Sequence, residues 1–78
     1  MKTQFRVALG QTIRALRKER GLSQEALSEL TGLHRTYIGG IERGERNLAI
    51  DNLERIGKGL SIEMSAILNR AENLLGSS

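Results

Sequence analysis

The 78-residue chain has no cysteine, no proline and no tryptophan, and its aromatic residues are one Phe and one Tyr. Without cysteine, neither a disulfide framework nor a thiolate metal site can staple the fold. No apolar run approaches the roughly eighteen residues of a membrane span, and the N-terminus lacks the apolar core of a signal peptide. One histidine, no carboxylate pair in a plausible cleft and no phosphate-cradling glycine loop leave nothing from which to build an enzyme active site. Metal, cofactor and small-molecule ligand are excluded on the same grounds. The length allows one domain, close to the lower limit at which a core folds unaided, so efficient helix packing or oligomerisation has to supply buried area.

What is present is positive charge, unevenly placed. Twelve basic against nine acidic residues give a net charge of +3. Residues 2–20 carry Lys2, Arg6, Arg14, Arg17, Lys18 and Arg20 against Glu19 alone. Residues 47–78 carry Arg55, Lys58 and Arg70 against Asp51, Glu54, Glu63 and Glu72. Such an asymmetry suits a polyanion on one side and a different partner on the other, although basic residues that only solvate a helix face leave the same trace.

Leu and Ile recur at three- and four-residue spacing, which predicts an all-α fold. No repeat or low-complexity stretch divides the chain, so residues 1–75 read as one domain and 76–78 as a flexible tail. A first helix is predicted over residues 3–20, with Phe5, Leu9, Ile13 and Leu16 as its core stripe and Gly21 as a left-handed C-cap. Ser23 reads as the N-cap of a second helix with Glu25 in its first turn, Leu27 and Leu30 facing the core and Ser28 small enough for close helix approach. Gly32 supplies the following turn. A third helix over residues 35–43, stopped by Gly44, directs Tyr37, Ile38 and Ile41 inward. A fourth over residues 50–59 buries Ile50, Leu53, Ile56 and Leu60, with Asp51/Arg55 and Glu54/Lys58 as solvated pairs. A fifth over residues 62–75 collects Met64, Ile67, Leu68, Ala71, Leu74 and Leu75 within an arc of about 120°. That stripe exceeds what four short helices cover, so Met64, Ile67, Leu68, Ala71 and Leu75 are predicted to meet a second copy of the chain.

The segment from Leu22 to Gly44 carries the most information. Two short amphipathic helices flank the turn at Gly32, and the second sets Arg35, Thr36 and Arg43 opposite its apolar side. This is the pattern of a helix-turn-helix whose second helix enters the major groove of double-stranded DNA. Arg35, in the first turn, has the forked guanidinium that pairs with guanine O6 and N7. Thr36 suits a thymine methyl or a phosphate, and His34 a capping role. Gln24 opens the second helix, where free backbone N–H groups favour an anion. Arg43, Arg46 and Asn47 follow the recognition helix and fit the sugar–phosphate backbone, with a base edge as the alternative for Arg46. Tyr37 packs its ring inward and directs its hydroxyl at a phosphate.

Residues 9–68, about three quarters of the chain, resemble the lambda-repressor-like, or XRE-type, helix-turn-helix family. The resemblance rests on Arg17, Gly21-Leu22-Ser23-Gln24-Glu25, Leu27, Gly32, Ile38, Ile41-Glu42-Arg43-Gly44, Arg46-Asn47 and Leu60 at matching spacing. Within that family, residues 34–38 and 41–47 are most similar to the controller proteins of restriction–modification systems. The resemblance implies a compact five-helix domain that binds palindromic operators as a homodimer. It also implies a transcriptional regulator acting as activator and autorepressor, with RNA polymerase as a further partner, in the cytoplasm of a prokaryotic cell and at its nucleoid. Arg17 and Glu42 match a family pair that forms a structural salt bridge, and Gln24 a position that braces the recognition helix. Gly39 and Gly40 depart from the pattern, since relatives carry side chains there, and Ala49 stands where a Ser N-cap is common. An antitoxin-like module that neutralises a toxin, or a phage-type repressor, remains the alternative.

Overall fold

A computed structural model describes residues 4–76, which form helices α1 Gln4–Glu19, α2 Gln24–Thr31, α3 Arg35–Glu42, α4 Ile50–Leu60 and α5 Met64–Gly76. The described residues contain no strand, and none of their helices is long and apolar enough to cross a membrane. The boundaries follow local chemistry. At the end of α1, Gly21 adopts φ 67°, and the Leu22 N–H returns to the Arg17 carbonyl at 3.0 Å. The Ser23 hydroxyl accepts the Ala26 N–H at 2.9 Å and so starts α2. Gly32 closes that helix at φ 75°, a conformation that a Cβ resists. The turn is pinned from both sides: Ser28 Oγ donates to the Leu33 carbonyl, while Thr31 Oγ1 donates to Leu27 and accepts the Leu33 N–H at 3.2 Å. Ala49 precedes α4 without a side-chain cap.

The core gathers Leu9, Ile13 and Leu16 of α1, Leu27 of α2, Ile38 and Ile41 of α3, Leu53, Ile56 and Leu60 of α4, and Ile67 and Ala71 of α5. Helix α1 packs on both α5 and α3. The crossing with α3 is close: a Cβ on Gly10 would collide with the Ile41 carbonyl and lie 2.9 Å from that of Glu42. Gly10 therefore sets how deeply α3 seats against α1.

Several sequence expectations need correction. Leu30 is 59% exposed, because α2 faces the core along the line through Leu27 and Thr31, and Leu30 is rotated off it. Ile50 is 64% exposed at the first position of α4, on the rim of a shallow apolar groove with Phe5, Leu48 and Leu68. The α5 stripe divides. Ile67 and Ala71 are fully buried by the chain's own helices, so neither side chain has surface left for a second copy. Met64 and Leu68 are half-buried, and Leu74 and Leu75 are exposed. The fifth helix begins at Met64, after Ile62 has used its N–H on the Gly57 carbonyl, and it runs through Gly76, one residue into the tail expected from the sequence. The predicted first-helix start at Thr3 and the remaining tail residues lie outside the described part.

Candidate nucleic-acid interface

Helix α3 is short, and its placement rests on one buried ion pair. The Glu42 carboxylate accepts from Arg17 Nε at 2.7 Å, from Arg17 Nη2 at 3.0 Å and from Gln24 Nε2 at 3.0 Å. Arg17 Nη1 donates to the Leu22 carbonyl at 2.7 Å. One guanidinium thus joins α1, the loop before α2 and the end of α3, with side chains only 9% and 2% exposed. The hydrogen bonds to Glu42 hold the Arg17 guanidinium above its ordinary pKa, against the opposing effect of burial. Arg17 is therefore a fixed interior cation and adds nothing to the surface charge inferred for residues 2–20. Gln24 has its amide on Glu42 and lies over α3, so it braces that helix from α2.

With Ile38 and Ile41 buried, the opposite face of α3 is turned to solvent at its first turn. His34 caps the helix, its Nδ1 accepting the Thr36 N–H at 3.2 Å. Arg35 and Thr36 are both exposed, and Arg35 Nη1 lies 3.7 Å from Glu25 Oε2 of α2. At that distance and exposure the pair is a loose orienting contact rather than a bond. The Arg35 guanidinium is thus held near the start of α2 but is free to take a stronger partner.

Beyond α3 the chain bends at Gly44 into residues 45–49. Arg43 and Arg46 are exposed there, Arg43 Nε donating to Glu45 Oε1 at 3.0 Å. Tyr37 differs from the sequence expectation. Its hydroxyl donates to the Asn47 carbonyl at 2.9 Å and accepts from Asn52 Nδ2 at 3.1 Å, so it latches the loop instead of standing ready for a phosphate. Asn47 is drawn into the same latch, since its Oδ1 accepts from Arg6 of α1. The polar contacts of Arg6, Asn52 and Thr31 escape sequence reading, because each partner is set by the folding of distant segments or of the turn itself. Gly39 and Gly40, unexplained from the sequence, are buried under neighbouring side chains.

The assembled surface is a capped helix end with an exposed Arg–Thr pair, flanked by two further arginines and by the N-terminus of α2. It presents hydrogen-bond donors and positive charge over a span suited to a groove and its bordering phosphates. Residues 13–67 match the family described as Helix-turn-helix. Control protein C.BamHI of Bacillus amyloliquefaciens is 41% identical over 70 residues, which cover 88% of this chain and 86% of that protein. The restriction-modification controller protein C.AhdI from Aeromonas hydrophila is similar at 45% identity and a TM-score of 0.78, over 80% of this chain and 94% of that one. The structure of C.Esp1396I bound to a 19 base pair DNA duplex is similar at 36% identity and a TM-score of 0.86, over 94% of this chain and 97% of the other. The chain belongs to the helix-turn-helix family and, within it, to the controller proteins of restriction–modification systems.

Proposed function

We propose that the chain is a sequence-specific transcriptional regulator that binds double-stranded DNA and controls a restriction–modification system as activator and autorepressor. Helix α3 enters the major groove, with Arg35 on a guanine edge and Thr36 beside it. Gln24, Arg43 and Asn47 flank the groove along the backbone, Tyr37 serving them through the loop that it latches, and Arg46 takes a phosphate or a base edge at the border of the groove. The observation that carries this reading is the solvent-facing Arg35–Thr36 turn, held outward by buried Ile38 and Ile41 and by the Arg17–Glu42 pair. The relative captured on a DNA duplex supports it.

The protein acts as a homodimer on a palindromic operator; the apolar surface left uncovered at Ile50 and Leu75 supports the assembly, and a two-fold protein then matches a two-fold site. The contact uses Ile50 with the half-buried Leu48, Met64 and Leu68, and the exposed Leu75, in place of the buried Ile67 and Ala71. RNA polymerase is the further partner at the promoter, and the work is done in the prokaryotic cytoplasm at the nucleoid. Footprinting on the DNA immediately upstream of its own gene tests the reading. A protected pair of half-sites about one helical turn apart is expected; uniform coating with no preferred site would refute it.

A further inference from the structure

The outer face of α3 is empty where its own side chains ought to continue. Positions four apart share a helix face, so Gly39 lies one turn beyond Arg35, and Gly40 one turn beyond Thr36. Both glycines are nevertheless buried. Arg43 Nη1 and Gln24 Oε1 would lie 3.1 and 3.4 Å from a Cβ on Gly39. Arg46 runs lengthwise over Gly40, where a Cβ would collide with its Cγ and lie 3.4 Å from both Cδ and Nε. Arg46 comes from beyond the bend at Gly44, and its guanidinium has no hydrogen-bond or ion-pair partner among the described residues. Its methylenes lie against the bare helix backbone at Gly40.

We infer that Gly40 is a positioning residue for DNA recognition. It forms a socket that lays Arg46 across the second turn of α3, so that a guanidinium from the following loop occupies the place of the missing recognition-helix side chain. The inference rests on the DNA-binding reading above. A glycine inside a helix is costly, and alanine there favours the helix. A purely structural role for Gly40 would therefore show in stability, whereas a socket shows in Arg46 and in DNA affinity. At Gly39, by contrast, a Cβ meets only the movable ends of Arg43 and Gln24.

The test has two arms. In the free wild-type protein, ¹⁵N relaxation of the Arg46 Nε–Hε group should show it more ordered than that of the exposed Arg14, and G40A should erase the difference. Equal mobility of Arg46 and Arg14 in the wild type overturns the socket without any variant being needed. In the second arm, affinity for the footprinted operator is measured for G40A, R46A and the double variant. G40A should lose roughly tenfold or more, the scale of one guanidinium contact, with no fall in melting temperature. The double variant should bind no worse than R46A. Multiplying losses, or full affinity in G40A, overturn the inference. Wild-type protein without a preferred operator refutes the functional reading instead, while the relaxation arm still judges the socket.

Discussion

Helix α1 is tied both to α3 and to α5 by an arginine and a glutamate, and the two ties are of different kinds. Arg17 and Glu42 are buried, and Gln24 and the Leu22 carbonyl complete their hydrogen bonds. Arg70 and Glu19 form a two-pronged pair in the open, with Nη1 3.2 Å from Oε1. The first orders the helix that carries Arg35; the second lies beside a helix whose anchorage comes from Ile67 and Ala71. The same residue types thus do unlike work. A buried charge must be paired or the fold suffers, whereas an exposed pair competes with water and salt.

The buried tie is the more vulnerable of the two, and Glu42 is its weakest point. Glu42→Ala leaves the Arg17 guanidinium buried without a counter-charge and should cost about 3–5 kcal/mol in urea denaturation. That is a large share of the stability of so small a domain. A loss below about 1 kcal/mol would place this tie in the same class as the surface pair. The apolar side carries the proposed assembly. If the chain assembles as proposed, Ile50→Glu should shift that dimer to monomer in sedimentation and weaken operator binding while the monomer fold persists, since the side chain is largely exposed. A dimer that survives the change rules this face out as the contact. It is a cleaner probe than Leu68→Glu, which also disturbs the half-buried rim.

A finer division separates the exposed Arg35 from the exposed Arg70. Arg35→Ala should leave the melting temperature nearly unchanged and remove about 1–3 kcal/mol of discrimination between operator and altered DNA. Unchanged discrimination would take Arg35 out of base reading. The smallest effect belongs to Glu19, whose carboxyl is held below its ordinary value of 4.5, mainly by its hydrogen bonds from Arg70. A lowered carboxylate pKa contributes stability that is full above the unfolded value and is lost as the pH falls through the folded one. Melting temperature should therefore drop on acidification below about pH 4, and Glu19→Gln should flatten that drop while changing little at neutral pH. A neutral-pH loss as large as that of Glu42→Ala would erase the contrast between the two ties.

Much of this architecture can be read along the chain because its causes are local. Ser23, His34 and the glycines at 21, 32 and 44 act through neighbours within a few residues, so caps and turns appear where residue chemistry places them. Periodicity likewise identifies an apolar arc on every helix. It does not say which part of the arc the neighbouring helix covers. Leu30 and Ile50 belong to such arcs and are exposed, while Ile67 and Ala71 are sealed inside the chain. The site is legible to a similar depth. Arg35 and Thr36 follow from an inward Ile38 and Ile41 on the same short helix. The Tyr37–Asn47–Asn52 latch does not, because it depends on where residues 45–49 fold back.

Five helical segments, the caps at Ser23 and His34 and the outward stance of the Arg35 turn are written in the order of residues, since each depends on contacts within a turn or two. The rest came from packing between distant segments: how deeply α1 and α3 approach at Gly10, which residues of the α5 stripe are sealed, and which arginine covers Gly40. Those outcomes depend on the relative placement of backbones far apart in the chain. A one-dimensional pattern of apolar and charged residues carries the preferences of each surface, and only packing decides which surfaces meet.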